Sequence, residues 1–315
     1  MIPGGAPPGY HWAMETSDSF QSRRAGAAEP NTPSQLLLAT DLGSRSDRAL
    51  DRAGQLATAW RAQLTVVHAL EQTSEFLQSP GRKGRFWRVR EDRVAAVARQ
   101  LRADMLDEGV RASVVVEEGD PADLVLETAR RTGTELIVTG LARAEPFGRL
   151  LPGTTVERLV RRADAPVLMV RKRVRGAYRR IFVGTDFSPA SAGALMVAAC
   201  WFPDAQLTLF HAAEPPFGGI VSRDEPAVEW ARTARGEAER FLASAAIPMD
   251  RRASVAIMVD QGRPEAVLRD YAEQDAFDLV VVGRRGRNPV ADLLLGSTAD
   301  AIMHQVPSDV MVVRD

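Results

Sequence analysis

Three glycines and two hydroxyl residues near the end of the sequence have types and a spacing that suit phosphate binding. Two residues separate Gly283 from Gly286, and nine more precede Gly296, Ser297 and Thr298. Glycine lets backbone N–H groups approach a phosphate because no Cβ stands in the way. A helix that begins at Ser297 adds unpaired N–H groups and the positive end of its dipole, which favour an anion. The pattern therefore predicts an anion site that the two hydroxyls complete.

Two charged residues indicate the rest of the ligand. Arg284 follows the first glycine and is a candidate for contacting phosphate, although several arginines on one loop are often simply solvated. Asp186 ends an apolar, strand-like run and is a hydrogen-bond acceptor for a sugar or a base. Each residue also has an ordinary structural reading, because glycines make turns and Ser, Thr and Asp cap helices. The joint spacing favours the nucleotide reading.

The sequence contains an internal repeat. Asp41 corresponds to Asp186 at an offset of 145 residues, and His68 corresponds to His211 at an offset of 143. The offset of 143 relates three further pairs, which are Gly140 and Gly283, Gly153 and Gly296, and Arg171 and Arg314. A period this long indicates a duplicated domain and not a solenoid.

Each copy alternates short apolar runs with longer stretches of helical spacing. Runs that are apolar on consecutive residues, such as 280–282, suit strands covered on both faces. The alternation predicts an α/β fold of two tandem doubly wound domains with parallel sheets. The predicted strands are 35–40, 63–69, 111–117, 135–139 and 166–170, then 181–185, 206–211, 252–259, 279–282 and 310–314. The predicted helices of the second copy are 190–201, 227–245, 264–275 and 297–305.

The domain boundaries follow from the repeat. Residues 1–33 lack periodicity and predict a disordered tail. The first domain is expected over 34–172, a linker over 173–177 and the second domain over 178–315. The basic run that begins at Arg171 is typical of a solvated linker.

Composition and charge exclude several classes of protein. Lys+Arg total 40 and Asp+Glu 41 in 315 residues, so the basic excess of nucleic-acid binders is missing. No apolar run is as long as a membrane span, and the first residues lack the pattern of a secretory signal. The single cysteine, Cys200, excludes an intramolecular disulfide, and its apolar setting predicts a buried, inert thiol. We expect a cytoplasmic protein with no nucleic-acid or membrane partner.

The familiar catalytic templates are missing from the sequence. No lysine follows a glycine as in a Walker A loop, and there is no G-x-S-x-G or H-E-x-x-H motif. His68 and His211 occupy equivalent strand ends, which indicates a packing role, with a ligand role for His211 as the minority alternative. No carboxylates cluster as a metal shell. A lone acid near a nucleotide predicts weak ATPase activity at most.

These residues resemble the universal stress protein family in a tandem two-domain form. The resemblance rests on the two Thr-Asp strand ends, the two His-Ala strand ends, the Gly-x-Pro loops and the final glycine motif, and it covers Gln35 to Asp315. It implies a five-stranded parallel sheet of order 3-2-1-4-5 in each domain. It also implies ATP or a related adenine nucleotide as ligand, with Mg²⁺ as an accompanying ion and no metal cluster. The expected nucleotide-binding residues are Gly184, Thr185, Asp186, Ala212, Gly283, Arg284, Gly286, Gly296, Ser297 and Thr298.

The first copy departs from the glycine motif, because Arg143 stands where the second copy has Gly286. A long side chain at a tight phosphate-binding position should block close approach, although a direct contact from Arg143 to phosphate is the minority alternative. We therefore expect one competent site and one degenerate site. The residues of the degenerate site are Thr40, Asp41, Ala69, Gly140, Gly153, Thr154 and Thr155.

Three functions are compatible with this reading. The leading hypothesis is a regulatory nucleotide-binding protein of the stress response, in which occupancy alters binding to a regulatory protein. The second is a ligand-free interaction scaffold, since the resemblance implies that Val167–Val170 and Val310–Val313 pair, within one chain or between two. The third is a slow nucleotide hydrolase. Fold alone does not choose among them.

Overall fold

The computed structural model describes residues 32–43, 46–70, 94–103, 112–140, 143–144, 150–151, 154–213, 225–286 and 295–314. Apart from Thr32 and Pro33, the predicted tail lies outside this part of the chain.

The first copy alternates strands and helices as its sequence predicts. A short antiparallel pair, β5 and β6, is inserted after its fourth strand. The elements are β1 (Gln35–Ala39), α1 (Ser46–Trp60), β2 (Gln63–Leu70), α2 (94–103), β3 (Ala112–Glu118), α3 (Pro121–Thr132), β4 (Leu136–Thr139), β5 (Arg143–Ala144), β6 (Leu150–Leu151), α4 (Thr154–Arg162) and β7 (Val167–Met169).

The second copy repeats the order of the main strands and helices and contains a short helix, α7, whose equivalent positions in the first copy lie outside the described residues. The elements are β8 (Arg180–Gly184), α5 (Pro189–Trp201), β9 (Gln206–Ala213), α6 (Glu225–Ser244), α7 (Met249–Ser254), β10 (Ala256–Gln261), α8 (Pro264–Glu273), β11 (Leu279–Gly283), α9 (Ser297–Gln305) and β12 (Asp309–Val313). The strand predicted from Arg252 is wrong at its start, because Arg252 and the two residues after it do not join the sheet and α7 holds residues up to Ser254.

Ten strands form one continuous sheet, in the order β10-β9-β8-β11-β12-β7-β4-β1-β2-β3. Within each half the neighbouring strands are parallel, and each half reads third, second, first, fourth, fifth in its own chain order. This arrangement confirms the α/β class with tandem doubly wound domains. In each half the connections after the first and fourth strands diverge to opposite faces, which is where such sheets bind ligands.

The two halves meet through their last strands. β7 and β12 pair antiparallel, with Met169 opposite Val310 and Val167 opposite Val312. These are the edge strands that the sequence predicts to pair, and the pairing lies within one chain. Because β7 and β12 cover each other, neither presents an open edge at the centre of the sheet.

Alternate side chains of each strand pack on opposite faces of the sheet. Leu36 and Leu38 of β1 face a core shared with α1, α2, α5 and α6, and Leu37 faces the core under α3, α4, α8 and α9. Both cores run through both domains, because strand pairing places equivalent helices side by side. Trp60 at the end of α1 lies 5.9 Å from Trp201 at the end of α5. Cys200, expected to be buried, is a half-buried free thiol on α5.

Equivalent glycines turn the chain from the third strand into the next helix. Gly119 has φ 155° and Gly262 has φ 129°, values that side chains rarely adopt. The N–H of Gly262 donates to the carbonyl of Ala213 at 3.2 Å, and Pro264 then occupies the first turn of α8. The Gly-x-Pro loops therefore have a structural role, because they turn the backbone from a strand into the following helix.

Gly262→Ala is expected to lower the free energy of unfolding by about 1–3 kcal/mol, because of the backbone strain. The added Cβ would also lie 3.2 Å from Cγ2 of Val267. Gly236→Ala, in the interior of α6, provides the matched control and should stabilise by about 0.5–1 kcal/mol. Chemical denaturation of both variants measures the difference. If both variants changed the free energy of unfolding by the same amount in the same direction, the role given to Gly262 would be contradicted.

The prediction that the basic run is solvated is wrong at the first residue of that run, Arg171. Arg171 is only 5% exposed, and its guanidinium donates to the carbonyls of Met303 and Val306. The later arginines Arg173 and Arg175 are exposed, as a linker requires. Within the described ranges, no helix is long and apolar enough to cross a membrane.

Candidate functional site

A cavity of about 410 Å³ opens where the carboxyl ends of β8, β9 and β11 meet the start of α9. Its position is the divergence point of the second half of the sheet, as the sequence predicts for a ligand site. The residues that line it are Gly184, Thr185, Asp186, Ser191, Phe210, His211, Ala212, Ala213, Pro264, Leu268, Val282, Gly283, Arg285, Gly286, Gly296, Ser297, Thr298, Ala299 and Ile302.

The structure brings together nine of the ten residues expected to bind nucleotide in the second copy. They come from three strand ends and one helix start, and the first and last of them are more than 100 residues apart in the sequence. Arg284 is the residue that the structure does not bring to the cavity. Its Nη1 donates to the carbonyl of Arg161 at 3.1 Å, in the other domain, and its neighbour Arg285 lines the cavity instead.

A tight turn after β8 sets the direction of Asp186. Oγ1 of Thr185 accepts from the N–H of Phe187 at 2.9 Å and lies 2.9 Å from Oγ of Ser191. Oδ1 of Asp186 accepts from the N–H of Ser188 at 3.1 Å. Ser188 in turn caps α5 through a bond from the N–H of Ser191. Asp186 therefore shapes the turn as well as lining the cavity.

Phe187 holds a left-handed backbone with φ 64°, which is unusual for a residue with a bulky side chain. Leu42, its equivalent in the first copy, has φ 59°. Backbone strain of this kind is retained where the surroundings over-determine it, commonly at binding sites. The Phe187 ring packs 4.5 Å from the His211 ring, which fixes the turn against the end of β9.

The three glycines of the motif meet three different neighbours. A Cβ on Gly283 would lie 2.6 Å from the carbonyl carbon of Ala190, so this glycine is required by the packing of α5. A Cβ on Gly286 would lie 3.0 Å from Oδ2 of Asp186, so this glycine leaves room for the carboxylate in the cavity. The N–H of Gly296 donates to the carbonyl of Arg284 at 2.9 Å. That amide is therefore committed to the loop, and the anion donors must come from the residues beside it.

The start of α9 supplies those donors. The N–H groups of Ser297, Thr298 and Ala299 precede the first helical bond, from Asp300 to the carbonyl of Gly296. Within the described residues no side chain caps this helix start. Ser297 and Thr298 are exposed at the cavity, so their hydroxyls are accessible to a ligand. This end of the cavity has the donors and the dipole that an anion requires.

His211 lies at the other end of the cavity and has a structural bond of its own. Its Nδ1 donates to the carbonyl of Thr185 at 2.8 Å, and the equivalent His68 does the same to Thr40 at 2.9 Å. Because a carbonyl only accepts, the proton is on Nδ1 and Nε2 of neutral His211 is an acceptor. Both histidines therefore make a structural contact at their strand ends, and His211 also lines the cavity.

Apolar side chains form the remaining wall of the cavity. Phe210 and Val282 come from the sheet, while Leu268 and Ile302 come from α8 and α9. The sequence did not predict these four residues as part of the site, because apolar residues inside strands and helices are normally expected in the hydrophobic core. One of them, Leu268, could have been identified from helix geometry. It lies four residues after Pro264, on the same face of α8, and this face covers the strand ends.

The equivalent region of the first copy is arranged differently. Oδ1 of Asp41 accepts from the N–H of Gly43 at 2.9 Å and also from Oγ of Ser46 at the start of α1. Thr40 Oγ1 accepts from the N–H of Leu42 at 3.0 Å, as Thr185 does in the second copy. Gly140, Ala69, Thr154 and Thr155 occupy the corresponding strand ends and helix start, and Gly153 lies outside the described residues. A carboxylate already held by a helix-start hydroxyl offers less to a ligand.

In the part of the chain that the structure describes, no three His, Cys, Asp or Glu side chains group in a way that would hold a metal ion. Arg285, the α9 amides and the hydroxyls of Ser297 and Thr298 bring donors to the cavity, and Asp186 and His211 bring acceptors. The arrangement is suited to binding an anionic ligand that also carries hydrogen-bond donors.

Comparison with known proteins bears directly on this arrangement. The model of the universal stress protein family matches the chain twice, over residues 34–171 and 177–314. The chain belongs to the universal stress protein family. It does so in a tandem form, with one family match on each side of residues 172–176.

The relatives align with the whole chain or with part of it. A universal stress protein of Mycolicibacterium smegmatis is 25% identical over 299 residues, which is 89% of this chain and 96% of the relative. A universal stress protein of Thermus aquaticus is 33% identical over 138 residues, which is 43% of this chain and 97% of the relative. Among solved structures, a universal stress protein from Archaeoglobus fulgidus has a TM-score of 0.61 at 20% identity, covering 89% of this chain and 96% of that one. This last similarity concerns the fold.

Proposed function

We propose that the protein binds ATP or a related adenine nucleotide in the cavity of its second domain and acts by regulation, not catalysis. The observation that supports this most is one cavity that brings together the uncapped start of α9, the glycine loop and the Asp186 carboxylate. The start of α9 and the loop at Gly286 would hold the phosphates. Asp186 would accept from the ribose or the base.

The apolar wall fits the remaining part of such a ligand. Phe210, Leu268, Val282 and Ile302 offer a surface on which a flat aromatic base buries its faces. At about 410 Å³ the cavity is in the usual range for small-molecule sites. A purely apolar ligand would leave the helix-start amides of α9 without partners, at a cost that disfavours it.

One nucleotide per chain is part of the proposal. In the first domain, Arg143 replaces the glycine equivalent to Gly286. A long side chain in place of that glycine reduces the room that the domain offers to a phosphate. A Mg²⁺ ion would arrive with the phosphates, which are its preferred ligands.

The proposal includes a cytoplasmic location and a regulatory protein partner. A lone cysteine and a near-neutral charge support the location. Nucleotide occupancy would then change the surface that the partner recognises.

Mass spectrometry of the small molecules released by heat denaturation of the purified protein tests the proposal against a ligand-free scaffold. We expect an adenine nucleotide near one equivalent per chain, or full loading on incubation with ATP, ADP, AMP or cyclic AMP in separate arms. A chain that retains none of the four overturns the proposal in favour of the scaffold. Phosphate release well above background, abolished by Asp186→Ala, would instead favour the hydrolase.

A further inference from the structure

α9 runs from the candidate anion site to the junction between the two domains. Its first residues, Ser297 to Ala299, line the cavity, and the carbonyls of Met303 and Val306 at its other end accept from Arg171. Any residue that fixes the far end of this nine-residue helix also fixes the direction of the amides at its near end.

Arg171 fixes the far end of α9 from the first domain. Both terminal nitrogens of its guanidinium donate to carbonyls at the C-terminus of the helix, those of Met303 and Val306. A cation at this position also opposes the negative end of the helix dipole. Burial lowers the pKa of Arg171 to about 10, against the opposing effect of Asp309, so the guanidinium is still charged at neutral pH.

Two further contacts tie the same helix to α4 of the first domain. Nη2 of Arg161 lies 3.9 Å from Oδ1 of Asp300, and Nε2 of His304 lies 3.4 Å from Oε1 of Glu157. The glycine loop is tied as well, because Arg284 donates to the carbonyl of Arg161 while its own carbonyl accepts from Gly296. The loop and the helix start that form the anion site are thus both held by the first domain.

We propose that the first domain sets the nucleotide affinity of the second, with Arg171 as a positioning residue that acts through α9. The inference rests on the proposed nucleotide site and adds a role for the domain that lacks the full motif. The first domain is then a fixed support for the site and not merely a degenerate copy. Reciprocity requires that nucleotide binding, in turn, stabilises the α4 side of the junction.

The pseudo-symmetric partner of Arg171 provides a matched control. Arg314 lies 143 residues later, follows the equivalent strand, and pairs with the exposed carboxylate of Asp164. The guanidinium of Arg171 contacts the end of a helix that lines the cavity, whereas the guanidinium of Arg314 contacts a side chain on the surface. The same chemical change at the two positions therefore separates an effect on α9 from a general loss of one arginine.

The first experiment measures nucleotide dissociation constants for the full-length wild type, Arg171→Met and Arg314→Met. We expect Arg171→Met to raise the dissociation constant about tenfold, within the usual range of coupling between sites. Arg314→Met should leave it within about twofold. Arg171→Lys keeps the charge but has one nitrogen for two carbonyls, so it should fall between wild type and Arg171→Met.

The second experiment needs no variant and applies even if Arg171→Met folds poorly. Hydrogen exchange of the wild type is followed with and without saturating nucleotide. We expect slower exchange in α4, at Thr154–Arg162, although no residue of α4 lines the cavity. Slower exchange confined to the second domain, or equal affinities for Arg171→Met and Arg314→Met, overturns this inference alone. A wild type that binds no nucleotide overturns the proposed function and this inference together.

Discussion

Gly286→Val is expected to reduce nucleotide affinity by about 100-fold or more, which corresponds to about 2.7 kcal/mol. The Cβ alone would lie 3.0 Å from Oδ2 of Asp186, and the two methyl groups would extend into the cavity beside it. The backbone of Gly296 lies next to the same point, since its own Cβ position is 3.5 Å from the amide nitrogen of Gly286. One substitution would therefore close the gap between the loop, the helix start and the carboxylate. Isothermal titration with ATP measures the loss.

Gly193→Val is the control for this prediction. Gly193 lies in α5, where an added Cβ meets no heavy atom of the described residues within 4 Å outside its own helix. Its nucleotide affinity should equal that of the wild type. Thermal unfolding without ligand shows whether Gly286→Val is still folded. A folded Gly286→Val protein with wild-type affinity would place the ligand somewhere else.

Asp309→Ala is expected to lower the free energy of unfolding by about 3–5 kcal/mol, because it breaks a buried charged cluster. Asp309 is fully buried at the start of β12. Its Oδ1 accepts from the N–H groups of Arg171 and Lys172 at 2.7 Å and 2.9 Å, and its Oδ2 accepts from the hydroxyl of Tyr178 at 2.6 Å. Nε of Arg52 lies 3.9 Å from Oδ2. Removing the carboxylate leaves two buried guanidinium groups, those of Arg52 and Arg171, without their counter-ion. It also leaves three hydrogen-bond donors without their acceptor.

The cluster joins the two domains and the linker. Arg52 lies over the ring of Tyr178 at 3.9 Å and donates to the carbonyl of Gly176 at 2.9 Å. Burial, and then the Asp309 carboxylate, raise the pKa of Tyr178 well above its ordinary value, so the phenol remains a donor. Loss of Asp309 should therefore lower the stability of the whole sheet and not of one half.

Asp270→Ala, in α8, is the matched control in urea denaturation. Oδ1 of Asp270 lies 3.9 Å from Nε of Arg269, and the Asp270 side chain is 68% exposed. Solvent screens such a pair, so the unfolding midpoint should be almost unchanged. If the two aspartate variants had the same midpoint, the stabilising role of the buried cluster would be contradicted.

The cavity could be predicted largely from sequence because its signals are local. The glycine spacing, the hydroxyls after Gly296 and the acid after β8 each stand beside a strand or helix end. Parallel strands bring their carboxyl ends to one edge, so residues such as Asp186 and Gly283 meet without further information. The repeat identified the domains, since the constant offset of 143 residues between pairs such as Gly140 and Gly283 marks equivalent elements.

The contacts that the sequence did not predict join residues that lie far apart in the chain. The basic run at Arg171 predicts a solvated side chain, but the acceptors of Arg171 at the end of α9 lie 132 and 135 residues later. The sequence predicts Arg284 at the ligand, but in a loop the direction of successive side chains is not fixed by any repeat. The need for glycine at 283 comes from Ala190 of α5. Such facts depend on packing between elements that are distant in sequence, which composition and spacing do not encode.

Equilibrium dialysis of the full-length protein with labelled ATP, over a concentration range that reaches saturation, tests the central claim most directly. We predict one nucleotide per chain at saturation in the wild type and none, over the same range, in Gly286→Val. Two equivalent sites per chain, or no retained nucleotide in a folded wild type, would contradict it.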